Sequence, residues 1–242
     1  MKVTQSSCFL KDIVRQAQDG SLLPAAFQRP YVWGKRDVLA LIESIMRGYP
    51  VGSLLLWTPW GAADLTKVSR GRLGPVSGSN SLADSLLLDG QNRLASVAFM
   101  GHNFDKGFPS DMTEIEKQTW QDGTRLVVDL GARQFLFVPE AEVGKGLYFP
   151  LFAVINGALT NSFARKYWDT EWASLAESER NDAVRYLDAC TDAFSNARVT
   201  VTDIAHATVE EAKDAFLHIC RVGVPMSEAD FNECTAWVSS SN

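Results

Sequence analysis

The segment from Leu86 to Leu94 constrains the fold of this 242-residue chain more than any other stretch. An acidic residue, a glycine and three polar residues separate two apolar runs there. The pattern predicts a buried strand that ends at Asp89 and a turn at Gly90. A helix follows, with Gln91 and Arg93 in its first turn. Helix N-termini present unpaired N–H groups and partial positive charge, which favours binding of a phosphate or carboxylate. We therefore predict a functional site at this corner.

Two interpretations of the Asp89 corner remain open on its chemistry alone. In the first, Arg93 and the N–H groups hold an anion, while Asp89 contacts a metal-associated water, a ribose hydroxyl or a nucleophilic water. In the second, Asp89 caps the helix and pairs with Arg93, which is a structural arrangement. The segment is not a Walker A loop, because that motif needs several glycines and a lysine before serine or threonine.

A second candidate is the segment from Gln28 to Trp33, in which Pro30 forces Arg29 toward an extended conformation. A guanidinium beside the aromatic rings of Tyr31 and Trp33 suits a phosphate with a base or sugar stacked nearby. The alternative is a surface arginine with both rings packed in the core.

Two further stretches contain groups that suit anions. The turn Tyr49–Ser53 follows an amphipathic pattern, and its Gly52 and Ser53 would present backbone N–H groups to a phosphate; a plain helix-to-strand connection is the alternative. A long loop over residues 61–84 contains three basic residues that suit DNA phosphates, or that form an ordinary solvated surface. They are Lys67, Arg70 and Arg72.

Composition limits the classes of function. The net charge of −6 and the pI near 5.1 argue against a protein that coats nucleic acid, although a local basic patch is compatible with them. Four scattered cysteines without a CxxC pair and only three histidines predict no protein-bound metal site. We expect no membrane span and no signal peptide, because no apolar stretch is long enough, and we expect a cytoplasmic protein.

Hydrophobic periodicity predicts a mixed α/β (α+β) chain. It predicts helices over Cys8–Gln18 and Lys35–Arg47, a buried strand over Ser53–Trp57, and a hairpin of Arg125–Leu130 with Gln134–Val138. Residues 1–160 would form a small mixed sheet with packed helices, and residues 161–242 a mostly helical extension, packed separately or as one domain with the core. A short hairpin around Leu65–Val68 is predicted inside the long loop.

The order and spacing of three motifs resemble the N-terminal domain family of GmrSD-type restriction enzymes, whose core is similar to ParB and sulfiredoxin. The motifs are Phe27–Trp33, Leu41–Ser53 and Leu88–Leu94. The family's third motif is usually Asp-Gly-Gln-Gln-Arg, so Asn92 replaces its second glutamine with a shorter amide.

The resemblance implies a nucleotide-binding or nucleotide-hydrolysing module in prokaryotic defence against foreign DNA. It implies an HNH-type nuclease in a further domain or partner. If the chain binds an NTP, Asp89 would act through Mg²⁺ bound with the NTP, or as a base. The alternative is a non-catalytic module that recognises DNA or modified DNA for a partner nuclease. Asp89, Gln91 and Arg93 would carry the chemistry. The nucleotide and its phosphates would contact Gln28, Arg29, Tyr31, Trp33, Gly52, Ser53, Gly90 and Asn92.

Overall fold

Two sheets surrounded by helices make up the part of the chain that the computed structural model describes, which is residues 1–59, 65–75 and 83–222. The strands are β1 (Lys2–Phe9), β2 (Leu22–Pro24), β3 (Ser53–Pro59), β4 (Ser85–Asp89), β5 (Thr124–Asp129), β6 (Gln134–Pro139), β7 (Tyr148–Pro150) and β8 (Arg198–Ala207). The helices are α1 (Leu10–Asp19), α2 (Lys35–Met46), α3 (Gln91–Met100), α4 (Glu114–Trp120), α5 (Leu151–Ile155), α6 (Gly157–Asp169), α7 (Glu177–Asn196) and α8 (Val209–Val222). The predicted mixed α/β class is confirmed.

The larger sheet has five strands in the order β1-β8-β3-β4-β2. Strands β3 and β8 are parallel, as are β2 and β4, whereas β3 and β4 are antiparallel. The smaller sheet has the antiparallel order β6-β5-β7, and its β5–β6 hairpin confirms the predicted one.

The continuous apolar runs of β3 and β4 are explained by helices on both faces of the larger sheet. Leu54, Leu56 and Leu87 pack in the major core with α1, α2, α3 and α7. Their neighbours Leu55 and Trp57 point to the opposite face, where they share a second core with α8. Because successive side chains alternate between faces, a strand covered on both sides shows no polar alternation.

Two local predictions need correction. The first helix begins at Leu10 rather than Cys8, because Cys8 belongs to β1, a strand that the periodicity did not predict. The predicted hairpin around Leu65–Val68 is a short 3₁₀ helix. Strand β8 lies between β1 and β3 and falls within residues 161–242, the predicted mostly helical extension. Residues 223–242 of that extension lie outside the described residues.

The described helices include none that is both long and apolar enough to cross a bilayer.

Candidate functional site

Sheet topology brings the three sequence motifs to one edge of the larger sheet. Strands β2 and β4 are parallel, so their carboxyl ends lie at the same edge, and Asp89 is the last residue of β4. Strand β3 is antiparallel to β4, so the amino end of β3, at Ser53, lies beside Asp89. The segment after β2 contains Gln28 and Arg29, and it therefore leaves the sheet at the same edge.

The Asp89 corner has the predicted strand–turn–helix form. Gly90 precedes α3 with φ +96°, a left-handed conformation that favours glycine, and a Cβ atom there would overlap the side chain of Leu54. No side chain caps α3, so Asp89 does not act as the helix cap. The register of β3 against β4 shifts between Leu55 and Leu56, opposite Asp89. Such irregularities are frequent next to functional sites, where they redirect side chains.

The guanidinium of Arg93 lies between Asp89 and the Tyr49–Ser53 turn. Its Nη1 donates a hydrogen bond of 2.9 Å to the carbonyl oxygen of Val51. Its Nη2 is 3.5 Å from Oδ2 of Asp89, at the outer limit of a hydrogen bond, and the two side chains are 23% and 48% exposed. No other polar group of the described residues contacts this guanidinium. Arg93 therefore retains donors for a ligand.

Gly52 allows Arg93 to occupy this position. Its φ is +88°, and a Cβ atom would lie 2.9 Å from Cζ of Arg93 and closer still to Nη1. Any side chain at residue 52 would displace the guanidinium. Ser53, the first residue of β3, is exposed beside it.

Two glutamines in the motifs have side-chain oxygens without a hydrogen-bond donor among the described residues. Gln28 is 4% exposed, yet its Oε1 is buried without a partner, and so is Oε1 of Gln91. Buried polar atoms are rarely left unpaired in folded proteins, because desolvation without a replacement hydrogen bond is costly. Arg29 is exposed, with no polar partner among the described residues.

The remaining residues of the Gln28–Trp33 segment tie it to the helices around it. Val32 donates its backbone N–H to Oδ1 of Asn92 at 2.8 Å, which joins two of the motifs directly. Tyr31 is 2% exposed and its hydroxyl group lies 2.8 Å from Oγ of Ser96. Burial raises the pKa of Tyr31 to about 12. Trp33 is half-buried against the core. The structure thus places Tyr31 in the core.

The three basic residues of the long loop have different surroundings. Arg70 donates from Nε to the carbonyl oxygen of Ala26 at 2.9 Å, and Lys67 is exposed nearby in the chain. Arg72 is instead buried in ion pairs with Asp111 and Glu116, at 2.7 and 2.9 Å. Only Lys67 and Arg70 lie at the surface.

Asp89 provides a single carboxylate at the corner. The described residues contain no group of three or more histidine, cysteine, aspartate or glutamate side chains that would hold a metal ion. Mg²⁺ commonly binds one or two carboxylates together with substrate phosphates and keeps several waters. The donor set at Asp89 therefore fits Mg²⁺ that arrives with a polyphosphate.

A family model described as "GmrSD restriction endonuclease, N-terminal domain" matches residues 10–234. The match includes all three motifs that meet at the corner. The chain belongs to this family. No curated protein sequence matches the chain significantly. Membership makes the chain a module of a restriction system, in which DNA and a nuclease domain take part.

One feature of the site was absent from the sequence prediction. The carbonyl oxygen of Val51 orients Arg93 from 42 residues away, and backbone acceptors have no sequence signature. Gly52 was predicted to expose its own N–H group; the structure shows that its missing side chain makes room for Arg93.

Proposed function

We propose that this member of the GmrSD N-terminal domain family binds a nucleoside triphosphate at the Asp89 corner. The observation that carries the proposal is the convergence of three motifs around Arg93, whose guanidinium is only partly satisfied. A polyphosphate carries dense negative charge, and convergent charge-assisted donors bind it most strongly. Arg93 and the exposed Arg29 would neutralise the phosphates, assisted by the N-terminal N–H groups of α3.

The two unpaired amide oxygens support the same proposal. Oε1 of Gln28 and Oε1 of Gln91 are hydrogen-bond acceptors at the corner, so they suit a water beside the phosphates. Asn92 has its own Oδ1 occupied by Val32, and it therefore acts by fixing the Gln28–Trp33 segment.

Hydrolysis of the nucleotide is the second step of the proposal. Asp89 is half-exposed and weakly paired with Arg93, so its carboxylate is accessible to Mg²⁺ or to a water. Bound Mg²⁺ would neutralise charge that develops on the phosphates. The protein's own contribution is positioning: Arg93 orients the phosphates, and Gln91 orients the water.

The first test is thermal unfolding of the chain with ATP, GTP, CTP and UTP, each with and without Mg²⁺. A ligand that binds only the folded state raises Tm by mass action. We expect a rise with at least one nucleotide, and release of inorganic phosphate would show hydrolysis. Asp89→Asn should keep its Tm without ligand and lose the part of the rise that depends on Mg²⁺. Absence of any rise in the parent protein would refute nucleotide binding.

DNA recognition is a second candidate, and one observation favours it. Ser69 forms a β-bridge with Ala25, and Nε of Arg70 donates a hydrogen bond to the carbonyl oxygen of Ala26. The loop segment that contains Lys67 and Arg70 therefore runs beside the chain that leads to Arg29. Lys67 and Arg70 would then contact backbone phosphates for a partner nuclease of the HNH type. Affinity for duplex DNA should fall steeply with salt, and Lys67→Ala should reduce the slope. Salt-independent DNA binding would exclude this contact.

A further inference from the structure

A groove adjoins the corner on the other side of the Tyr49–Ser53 turn. Its volume is about 510 Å³, within the usual range for small-molecule sites. The turn after α2 forms one wall, and the end of α7 with the first residues of β8 forms the other.

The groove and the Asp89 corner share two residues. Val51 and Gly52 line the groove, and the same two residues hold and accommodate the guanidinium of Arg93, through the 2.9 Å hydrogen bond to Val51 and the close approach to Gly52. A ligand whose phosphates contact Arg93 therefore lies next to the groove.

The lining combines an aromatic ring with polar groups. Tyr49 is 56% exposed, so its ring is accessible to a ligand, and the guanidinium of Arg47 lies 5.8 Å from the ring centroid. Aromatic rings stack with any nucleobase, because every base has a π face. Asn196 and Thr200, across the groove, provide an amide and a hydroxyl group for a base edge or a ribose.

We propose that this groove binds the base and ribose of the nucleotide, with the Tyr49 ring stacked on the base. This inference rests on the proposed function, because it takes the phosphates to lie at Arg93. It assigns two separate parts of the ligand to two sides of one turn. The phosphates contact the corner, and the nucleoside contacts the groove.

Affinities for a nucleoside triphosphate and for inorganic tripolyphosphate test this division. Tripolyphosphate carries the phosphates without the nucleoside, so only the nucleotide gains from the groove. Tyr49→Ala should weaken binding of the best nucleotide about tenfold or more, which is the usual scale of base–aromatic stacking. The variant should bind tripolyphosphate as the parent does. Tyr49→Phe keeps the ring and should keep the affinity for both ligands.

The outcomes distinguish a failure of the groove proposal from a failure of the proposed function at the corner. Full nucleotide affinity in Tyr49→Ala would overturn the inference and leave the proposed function intact. Equal loss for both ligands would also overturn it, because Tyr49 would then act on the phosphates. If neither ligand binds the parent, the proposed function fails and this inference fails with it.

Discussion

Arg72 and Arg93 are both arginines paired with carboxylates, and their surroundings differ in a way that separates structure from function. Arg72 is saturated: its guanidinium contacts Asp111, Glu116 and the carbonyl oxygen of Gly74. Burial alone lowers the pKa of Arg72, but these hydrogen bonds outweigh burial and the net pKa is raised. Arg93 has one good hydrogen bond and one at the distance limit.

The comparison indicates that an arginine can bind a ligand when some of its guanidinium N–H groups have no hydrogen-bond partner within the fold. Side-chain exposures are 9% for Arg72 and 6% for Glu116, so this pair is part of the interior. The buried pair with Glu116 stabilises the fold as long as both partners are present. The half-exposed pair of Arg93 with Asp89 contributes little stability, and its geometry leaves room for an anion.

Removal of Arg72 should produce the largest effect on stability. Arg72→Ala leaves the Glu116 carboxylate buried without its partner, and such losses cost about 3–5 kcal/mol. The free energy of unfolding in urea measures the change. Lys117 lies next to Glu116 on helix α4 and serves as the control. Lys117→Ala breaks an exposed pair with Glu114 and should cost less than about 1 kcal/mol. Similar losses in the two variants would show that the Arg72 cluster is not part of the stabilising interior.

Tyr31→Phe tests a second buried polar cluster, formed by Tyr31, Ser96 and Trp120, whose polar groups are also hydrogen-bonded to one another. The hydroxyl group of Tyr31 contacts Ser96 and accepts a hydrogen bond of 3.3 Å from Nε1 of Trp120. Its loss leaves both partners unpaired and should cost about 1–3 kcal/mol. The double variant with Ser96→Ala should recover part of this loss. A ligand role for the hydroxyl would instead appear as lost nucleotide affinity at unchanged stability.

Tyr31 should also make the stability of the fold depend on pH. Its folded pKa of about 12 exceeds the ordinary value of 10.0, so the neutral form favours folding. The contribution to stability is fully present below pH 10 and is lost as the pH rises from 10 toward 12. Unfolding experiments across this range should show a smaller decline for Tyr31→Phe than for the parent. An identical decline would contradict the assignment.

Gly52→Ala tests whether the position of the Arg93 guanidinium beside Gly52 matters for ligand binding. The left-handed φ costs an L-residue about 1–2 kcal/mol, and Gly123→Ala, outside the groove, carries the same backbone cost, with φ +84° and open space around it. Only Gly52→Ala displaces the guanidinium of Arg93. It should therefore lose about as much stability as Gly123→Ala, because the end of the flexible Arg93 side chain can move at low cost, but it should also lose nucleotide affinity. Equal nucleotide affinity in the two variants would show that the approach of Arg93 to Gly52 is unimportant.

Local patterns predicted the elements of the site better than its connections. The strand to Asp89, the turn at Gly90 and the start of α3 follow from neighbouring residues, so the sequence predicts them well. Strand β1 was missed because its side chains are mostly exposed, so it has no apolar alternation, and only pairing with β8 makes it a strand.

Contacts between distant residues were beyond sequence reasoning. The sequence is compatible with Arg72 as either a DNA contact or part of a solvated loop, and its ion-pair partner Glu116 lies 44 residues away. The shared edge of β2, β3 and β4 depends on strand directions that no single motif encodes. The family resemblance provided the correct grouping of the motifs, and the topology explains why they meet.

The central claim is that Arg93 binds the nucleotide and adds little to the fold. The most direct test measures the nucleotide affinity and the unfolding free energy of Arg93→Ala beside the parent. We predict that affinity falls at least about tenfold while the unfolding free energy falls by only about 1–2 kcal/mol, the scale of the single hydrogen bond to Val51 and a partly exposed ion pair. Parental affinity in a folded Arg93→Ala variant would contradict the account.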